Sequence, residues 1–236
     1  NIKKQLELAQ LKSDFISNVS HEIRTPLALI SMYIETLELD RVKTEEKKKE
    51  YYSIIYNETQ RLSNMVNKIL NFSQIENDKR KYIYSKTNVN SVVNEVLSTF
   101  KFHLEEKHFE LELELDENIP EILADSEAIA DAIINLLDNA IKYSANQKFI
   151  GIKTGKQKDK VFIEIIDKGI GISESDQKKV FEKFYRVTEE NLAHKAKGSG
   201  LGLSIVKHVM DKHNAKINIR SKIGSGTTFR LVFPAE

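Results

Sequence analysis

The N-terminal stretch repeats apolar or small residues at alternating steps of three and four: Leu6, Ala9, Ser13, Ile16, Ser20, Ile23, Leu27, Ile30, Ile34 and Leu37. That spacing keeps a single stripe on one side of an α-helix and marks a coiled-coil seam, so the chain begins as one long helix. The polar run from Asp40 to Lys49 breaks the stripe, and a second stripe follows through Tyr51, Ile55, Leu62, Met65/Val66, Ile69 and Phe72. Together they predict a helical hairpin. A lone hairpin leaves much of its seam in water, and pairing two hairpins into a four-helix bundle removes that exposure. A homodimer is expected.

From Glu76 to Lys86 the chain is charged and carries no stripe, which reads as a linker. The expected organisation is a helical hairpin over residues 1–78, a linker over 79–86 and a second domain over 87–236. In that second part a helix over Val89 to Glu106 precedes the alternation Phe109, Leu111, Leu113, Leu115 of a half-buried strand. A helix from about Ser126 to Lys142 follows, then strands near Ile150 to Thr154 and Val161 to Asp167, and a short helix near Ser175 to Phe184. The chain closes with a helix over Leu201 to Lys212 and strands over Lys216 to Ser221 and Thr227 to Phe233. The character has changed from all-α to α/β.

Charge and cysteine content narrow the class. With 36 Lys+Arg against 35 Asp+Glu the formal charge is +1, so no global field directs the chain to nucleic acid, and affinity for phosphate must be local. The absence of cysteine fits a reducing compartment, and a cytoplasmic setting is expected. No run approaches the roughly 20 apolar residues that span a bilayer. The chain starts inside a helix without a cap, as a piece of a longer protein would, so membrane attachment is expected only through a segment further upstream.

Three constellations carry chemistry. In the string Phe15-Ile-Ser-Asn-Val-Ser-His21-Glu22-Ile-Arg-Thr25-Pro26-Leu27, Ser20 and Ile23 occupy the seam, which turns His21 outward with Thr25 one turn along on the same face. A neutral imidazole near pH 7 keeps one nitrogen free to attack phosphorus, and a carboxylate such as Glu22 is suited to holding the other. Pro26 inside a helix removes a backbone hydrogen bond and implies a kink. The second constellation, Asn135-Leu-Leu-Asp-Asn139-Ala-Ile-Lys142-Tyr143, sets two amides one turn apart, suited to a hard cation, with a cation nearby for phosphate. The third is a series of glycine clusters: Gly169 and Gly171 after Asp167, then Gly198, Gly200 and Gly202 with Leu201 and Leu203, then Gly224 and Gly226 before Thr227. Gly169 and Gly171 would let backbone approach a flat ligand, Asp167 would accept from an adenine amine, and the glycines before the next helix would expose free N–H groups to phosphate. Neither a G-x-x-x-x-G-K-[ST] string nor a G-x-G-x-x-G fingerprint after a first strand is present, so the Walker and dinucleotide readings fall away.

The string from Phe15 to Leu27 resembles the H-box of sensor histidine kinases at nearly every position. The later sets, with Phe181-Glu-Lys-Phe-Tyr185-Arg186, resemble the N, G1, F, G2 and G3 boxes of the ATP-binding fold shared by histidine kinases, gyrase and mismatch-repair ATPases. The resemblance implies a dimeric four-helix bundle followed by an α/β sandwich of the Bergerat type. It implies His21 as phosphoacceptor, Glu22 as its acid/base partner and Thr25 as the group that orients water when a response regulator is dephosphorylated. ATP would be held by Asn135, Asn139, Lys142, Tyr143, Asp167, Gly169, Gly171, Tyr185, Arg186, Gly198, Gly200, Leu201, Gly202, Leu203 and Thr227, with Asn139 on Mg²⁺ and the segment up to Lys197 as an ATP lid. The implied partner beyond a second copy is a receiver domain whose aspartate takes the phosphoryl group. Two other readings stay open: a docking module that acts mainly as a phosphatase, and an ATPase clamp, which gives no reason for His21 and Pro26.

Overall fold

The computed structural model describes residues 2–144, 147–187 and 200–235. The chain divides into a helical unit, which holds residues 2–79 and also takes in Gly200 and Leu201, and an α/β unit, which begins at Arg80 and resumes at Gly202.

The helical unit is an α-hairpin of α1 (Ile2–Glu38) and α2 (Glu45–Glu76). Between them Asp40 takes a left-handed conformation (φ 48°), and the Thr44 side chain caps α2 by accepting from the Lys47 N–H. α1 runs without interruption through Pro26, which is buried. The face that α1 turns to α2 carries Phe15, Val19, Pro26, Leu29, Tyr33 and Leu37. Phe15 meets Phe72 with ring centroids 6.3 Å apart, and Tyr33 meets Tyr51 edge-on at 4.6 Å. Of the residues that spacing placed on the seam, Ile23, Ile30 and Leu37 are half-buried within the hairpin, whereas Ile16, Leu27 and Ile34 are 55%, 53% and 41% exposed. On α2 the expected stripe does face inward, except that Val66 remains exposed while Met65 turns in.

The α/β unit holds β1 (Ser85–Thr87), α3 (Val89–Glu106), β2 (Glu110–Leu115), β3 (Ile122–Ala124), α4 (Ser126–Tyr143), β4 (Phe149–Lys156) and β5 (Lys160–Asp167). After these come α5 (Glu174–Gln177), α6 (Gly202–Lys212), β6 (Lys216–Lys222) and β7 (Gly226–Pro234). β1 and β3 form a small antiparallel pair, and the other five strands form one sheet in the order β2-β4-β5-β7-β6, parallel between β2 and β4 and antiparallel elsewhere. One face of the sheet, with Ile150, Ile152, Ile163, Ile165, Leu231 and Phe233, is sealed from water against α3, α4 and α6. The opposite face carries charge: Glu164 accepts from Arg220 at 2.9 Å and Arg230 at 3.4 Å.

Two expectations need correction. Segment 79–86, read as a linker, is strapped to the α/β unit from Arg80 onward. Arg80 pairs with Asp131 at 2.7 Å, the Ile83 N–H donates to Asp125 at 2.7 Å, and the Tyr84 hydroxyl donates to the Lys212 carbonyl at 2.7 Å. The helix expected from Ser175 to Phe184 ends at Gln177, because Val180 turns into the core, the Phe181 ring packs edge-on against Phe229 at 6.3 Å, and Phe184 adopts φ 67°.

Candidate functional site

His21 lies at mid-length on α1 with its side chain exposed. Thr25, exposed on the same face, donates its hydroxyl to the His21 carbonyl at 3.2 Å. Pro26 has no N–H to offer the Glu22 carbonyl one turn back, so backbone bonding is loosened beside the histidine. Glu22 is half-buried. The helix thus presents an imidazole to solvent on a rigid support.

The α/β unit gathers a second set of predicted residues around the C-terminal end of β5. Asp125 caps α4 by accepting from the Ala128 N–H at 2.9 Å, and the buried face of the helix, Ala128 to Ala140, fixes its rotation. That rotation puts Asn135 and Asn139 on one side, Asn135 buried and Asn139 half-buried. Asn135 donates its amide to the Asp131 carbonyl at 2.8 Å, which aims its oxygen at the start of α6; a Cβ at Gly202 would lie 3.1 Å from it. Lys142 lies over the Tyr143 ring, 4.7 Å from its centroid, and donates to the Tyr143 hydroxyl at 3.2 Å.

Asp167 ends β5 in a buried position. Its Oδ1 accepts from the Gly169 N–H at 2.8 Å and the Thr227 N–H at 3.2 Å. Burial pushes its carboxyl above the ordinary aspartate range, and the two N–H donors partly offset that push. Gly169, Gly171 and Gly226 are needed for chain-to-chain approach. A Cβ would fall 2.4 Å from the Tyr143 carbonyl oxygen at Gly169, 2.1 Å from that of Lys222 at Gly171, and 2.0 Å from that of Asp167 at Gly226. Gly171 and Gly226 also have positive φ, 75° and 93°. The demand read from sequence, room for a ligand, is therefore accompanied by a demand of the fold itself.

Other predicted residues lie beside α5 and α6. Gly202 and Leu203 are half-buried where α6 opens, while Gly200 and Leu201, which cluster with the helical unit, are half-buried and buried. The Tyr185 hydroxyl donates to Asp176 at 2.6 Å, and burial first, then that bond, pushes its phenol up to about 12. Arg186 follows it, half-buried. Gly198 and most of the segment expected to be a lid lie outside the described residues. Sequence reasoning missed Asp176, Gln177 and Ser221, which brace this region. Only α5 had a local signal: Ser173 and Asp176 have capping-box spacing, and Ser173 caps the helix by accepting from the Asp176 N–H at 3.2 Å.

Two family descriptions match the chain in tandem. "His Kinase A (phospho-acceptor) domain" covers residues 11–78, and "Histidine kinase-, DNA gyrase B-, and HSP90-like ATPase" covers residues 124–236. The chain belongs to the sensor histidine kinases. Among curated relatives, this kinase chain is 38% identical over 240 residues to "Drug sensory protein A" of Synechocystis, covering 97% of the chain and 36% of that protein. "Sensor protein RprX" of Bacteroides fragilis is 35% identical over 234 residues, with coverages of 98% and 45%. The kinase chain thus spans less than half of either relative. In structure it resembles histidine kinase ThkA, solved in complex with response regulator protein TrrA (TM-score 0.69, 26% identity, 99% of this chain and 65% of that one). It also shares its fold with the Acinetobacter baumannii histidine kinase AdeS (TM-score 0.69, 23% identity, coverages 92% and 98%).

Proposed function

We propose that this chain is the autokinase core of a larger sensor: ATP held in the α/β unit loses its γ-phosphoryl group to His21. Asp167 carries the reading. A carboxylate kept buried at the end of a strand, with Oδ1 occupied by two backbone donors, is costly for a fold to maintain and is suited to an adenine amine. One ring nitrogen of His21 attacks the γ-phosphorus, the bond to the β,γ-bridging oxygen breaks, and ADP leaves with that electron pair. The imidazolium that forms gives up the proton on its other nitrogen, for which Glu22 is the adjacent acceptor.

Around the nucleotide we assign Asn135, Asn139, Lys142, Tyr143, Gly169, Gly171, Thr227 and the opening of α6 to the binding wall. Among the described residues no cluster of three or more His, Cys, Asp or Glu side chains could cage a metal ion. The donor set instead fits Mg²⁺ held by the Asn139 amide oxygen, with nucleotide phosphates and water supplying the other positions. The phosphoryl group then passes to an aspartate on the receiver domain of a separate response regulator; ThkA was solved in complex with the response regulator protein TrrA. Thr25 beside His21 supports a second activity, hydrolysis of that aspartyl phosphate.

The exposed apolar residues Ile16, Leu27 and Ile34 of α1 and Val66 and Leu70 of α2 support a homodimer through the helical unit. No helix among the described residues is long and apolar enough to cross a membrane. As the ATP-using core of a larger sensor, the chain is read as working in the cytoplasm. Incubation with γ-labelled ATP and Mg²⁺ should give acid-labile, base-stable label on the wild type and none on His21→Gln. Label that survives the substitution overturns the assignment.

A further inference from the structure

α5 is one turn long and has no buried residue, yet two consecutive side chains on it, Asp176 and Gln177, each hydrogen-bond to other segments. The Gln177 Nε2 donates to the Ile172 carbonyl at 3.0 Å and to the Ser221 carbonyl at 2.9 Å. Ile172 closes the glycine loop that follows Asp167. Its own N–H donates to the Ser221 hydroxyl at 2.8 Å, which lies 2.9 Å from the Thr227 hydroxyl and donates to the Gly226 carbonyl at 2.9 Å. Ser221 is paired with Thr227 across β6 and β7, and Thr227 with Asp167 across β7 and β5. Hydrogen bonds joined through the backbones of Ile172 and Thr227 therefore connect the Gln177 amide to the Asp167 carboxylate. On the other side, Asp176 takes the Tyr185 hydroxyl immediately after Phe184, whose left-handed backbone is strained for a bulky residue.

We infer that Gln177 is a positioning residue for base recognition, holding the loop from Gly169 to Ile172 against the β6–β7 hairpin so that Asp167 and its donors stay in register. The inference rests on the nucleotide reading proposed above. Two carbonyls converge on one NH₂ group, so the role depends on the donor hydrogens of the amide and not on its bulk. Glu at this position has the same shape but turns an oxygen toward two carbonyl oxygens. Met has comparable volume and offers nothing. A loop-positioning role therefore orders the variants as wild type, then Gln177→Met, then Gln177→Glu, whereas a packing role leaves Gln177→Glu close to wild type.

The test measures autophosphorylation of the full chain with ATP and with GTP, separating KM from kcat, alongside melting temperature. Gln177→Met should raise KM for ATP about tenfold, the scale of losing two hydrogen bonds, and lower the preference for ATP over GTP. Its kcat at saturation should stay within about twofold, and Gln177→Glu should be worse in KM and preference. Ser221→Ala, which removes the hydroxyl that receives Ile172, should shift the same quantities, and it decides the matter if the Gln177 variants do not fold. A wild-type KM and base preference in Gln177→Glu or in a folded Ser221→Ala overturns the inference while the nucleotide reading stands. A wild type that takes no label from ATP overturns both.

Discussion

Asp167 is the side chain whose environment conflicts most plainly with its ionised form. Its carboxyl is raised by burial, so the folded chain takes up that proton at a higher pH than the unfolded chain does. Lowering the pH from neutral through the raised value therefore relieves a cost, and ionisation at neutral pH imposes one. Asp167→Asn keeps an oxygen for the Gly169 and Thr227 N–H groups and removes the charge. It should melt no lower than wild type near pH 7, with the difference closing as the pH enters the carboxylate range. Its affinity for ATP should fall roughly 10–100-fold, the cost of a lost charged hydrogen bond, read by titration with nucleotide. A variant that binds ATP as well as wild type removes Asp167 from the site. Asp167 was legible in sequence because a carboxylate followed by two glycines after a β pattern is unusual. Gln177 and Ser221 were not, because each looks like an ordinary polar surface residue until residues 44 positions apart meet.

Among the elements, the strap from Arg80 to Thr87 turned out least like its sequence. Its charged composition suggested a tether, and a three-residue strand such as β1 or β3 is too short for alternation to show. His213 anchors the strap. The Asp125 N–H donates to Nε2 at 3.0 Å, Nδ1 meets the Val209 carbonyl at 2.7 Å, and Tyr82 and Tyr84 flank the ring at 5.8 and 5.1 Å. Burial holds the imidazole below its ordinary range, with Arg80 acting in the same direction and the Val209 bond and Asp125 charge opposing. A depressed histidine contributes stability that is fully present above its unfolded pKa and is lost as pH falls through the folded value. Melting temperature should therefore drop as pH is taken below about 6.5, and His213→Gln, which keeps an acceptor without titrating, should flatten that limb. An unchanged slope in the variant would assign the acid sensitivity elsewhere. α1 and α2 were legible because long apolar periodicity is the strongest local signal. Which face meets the partner helix was not, since α1 carries apolar residues on two adjacent faces and spacing alone does not rank them.

For the whole molecule, the two units differ in what they offer: one presents an exposed histidine and the other encloses a carboxylate at the end of a sheet. The apolar residues left bare on α1 and α2 set the expectation for assembly. Light scattering on the chain at micromolar concentration should report a dimer, and Ile34→Glu with Val66→Glu should shift it to monomer while circular dichroism shows the fold retained. A wild-type monomer at that concentration removes the bundle. Gly169, Gly171 and Gly226 have a consequence of another kind. Positions that no side chain can enter are closed to neutral drift by packing alone, whatever the chain binds. A substitution scan scored only for folded protein would return all three as fixed before any selection for phosphotransfer was applied.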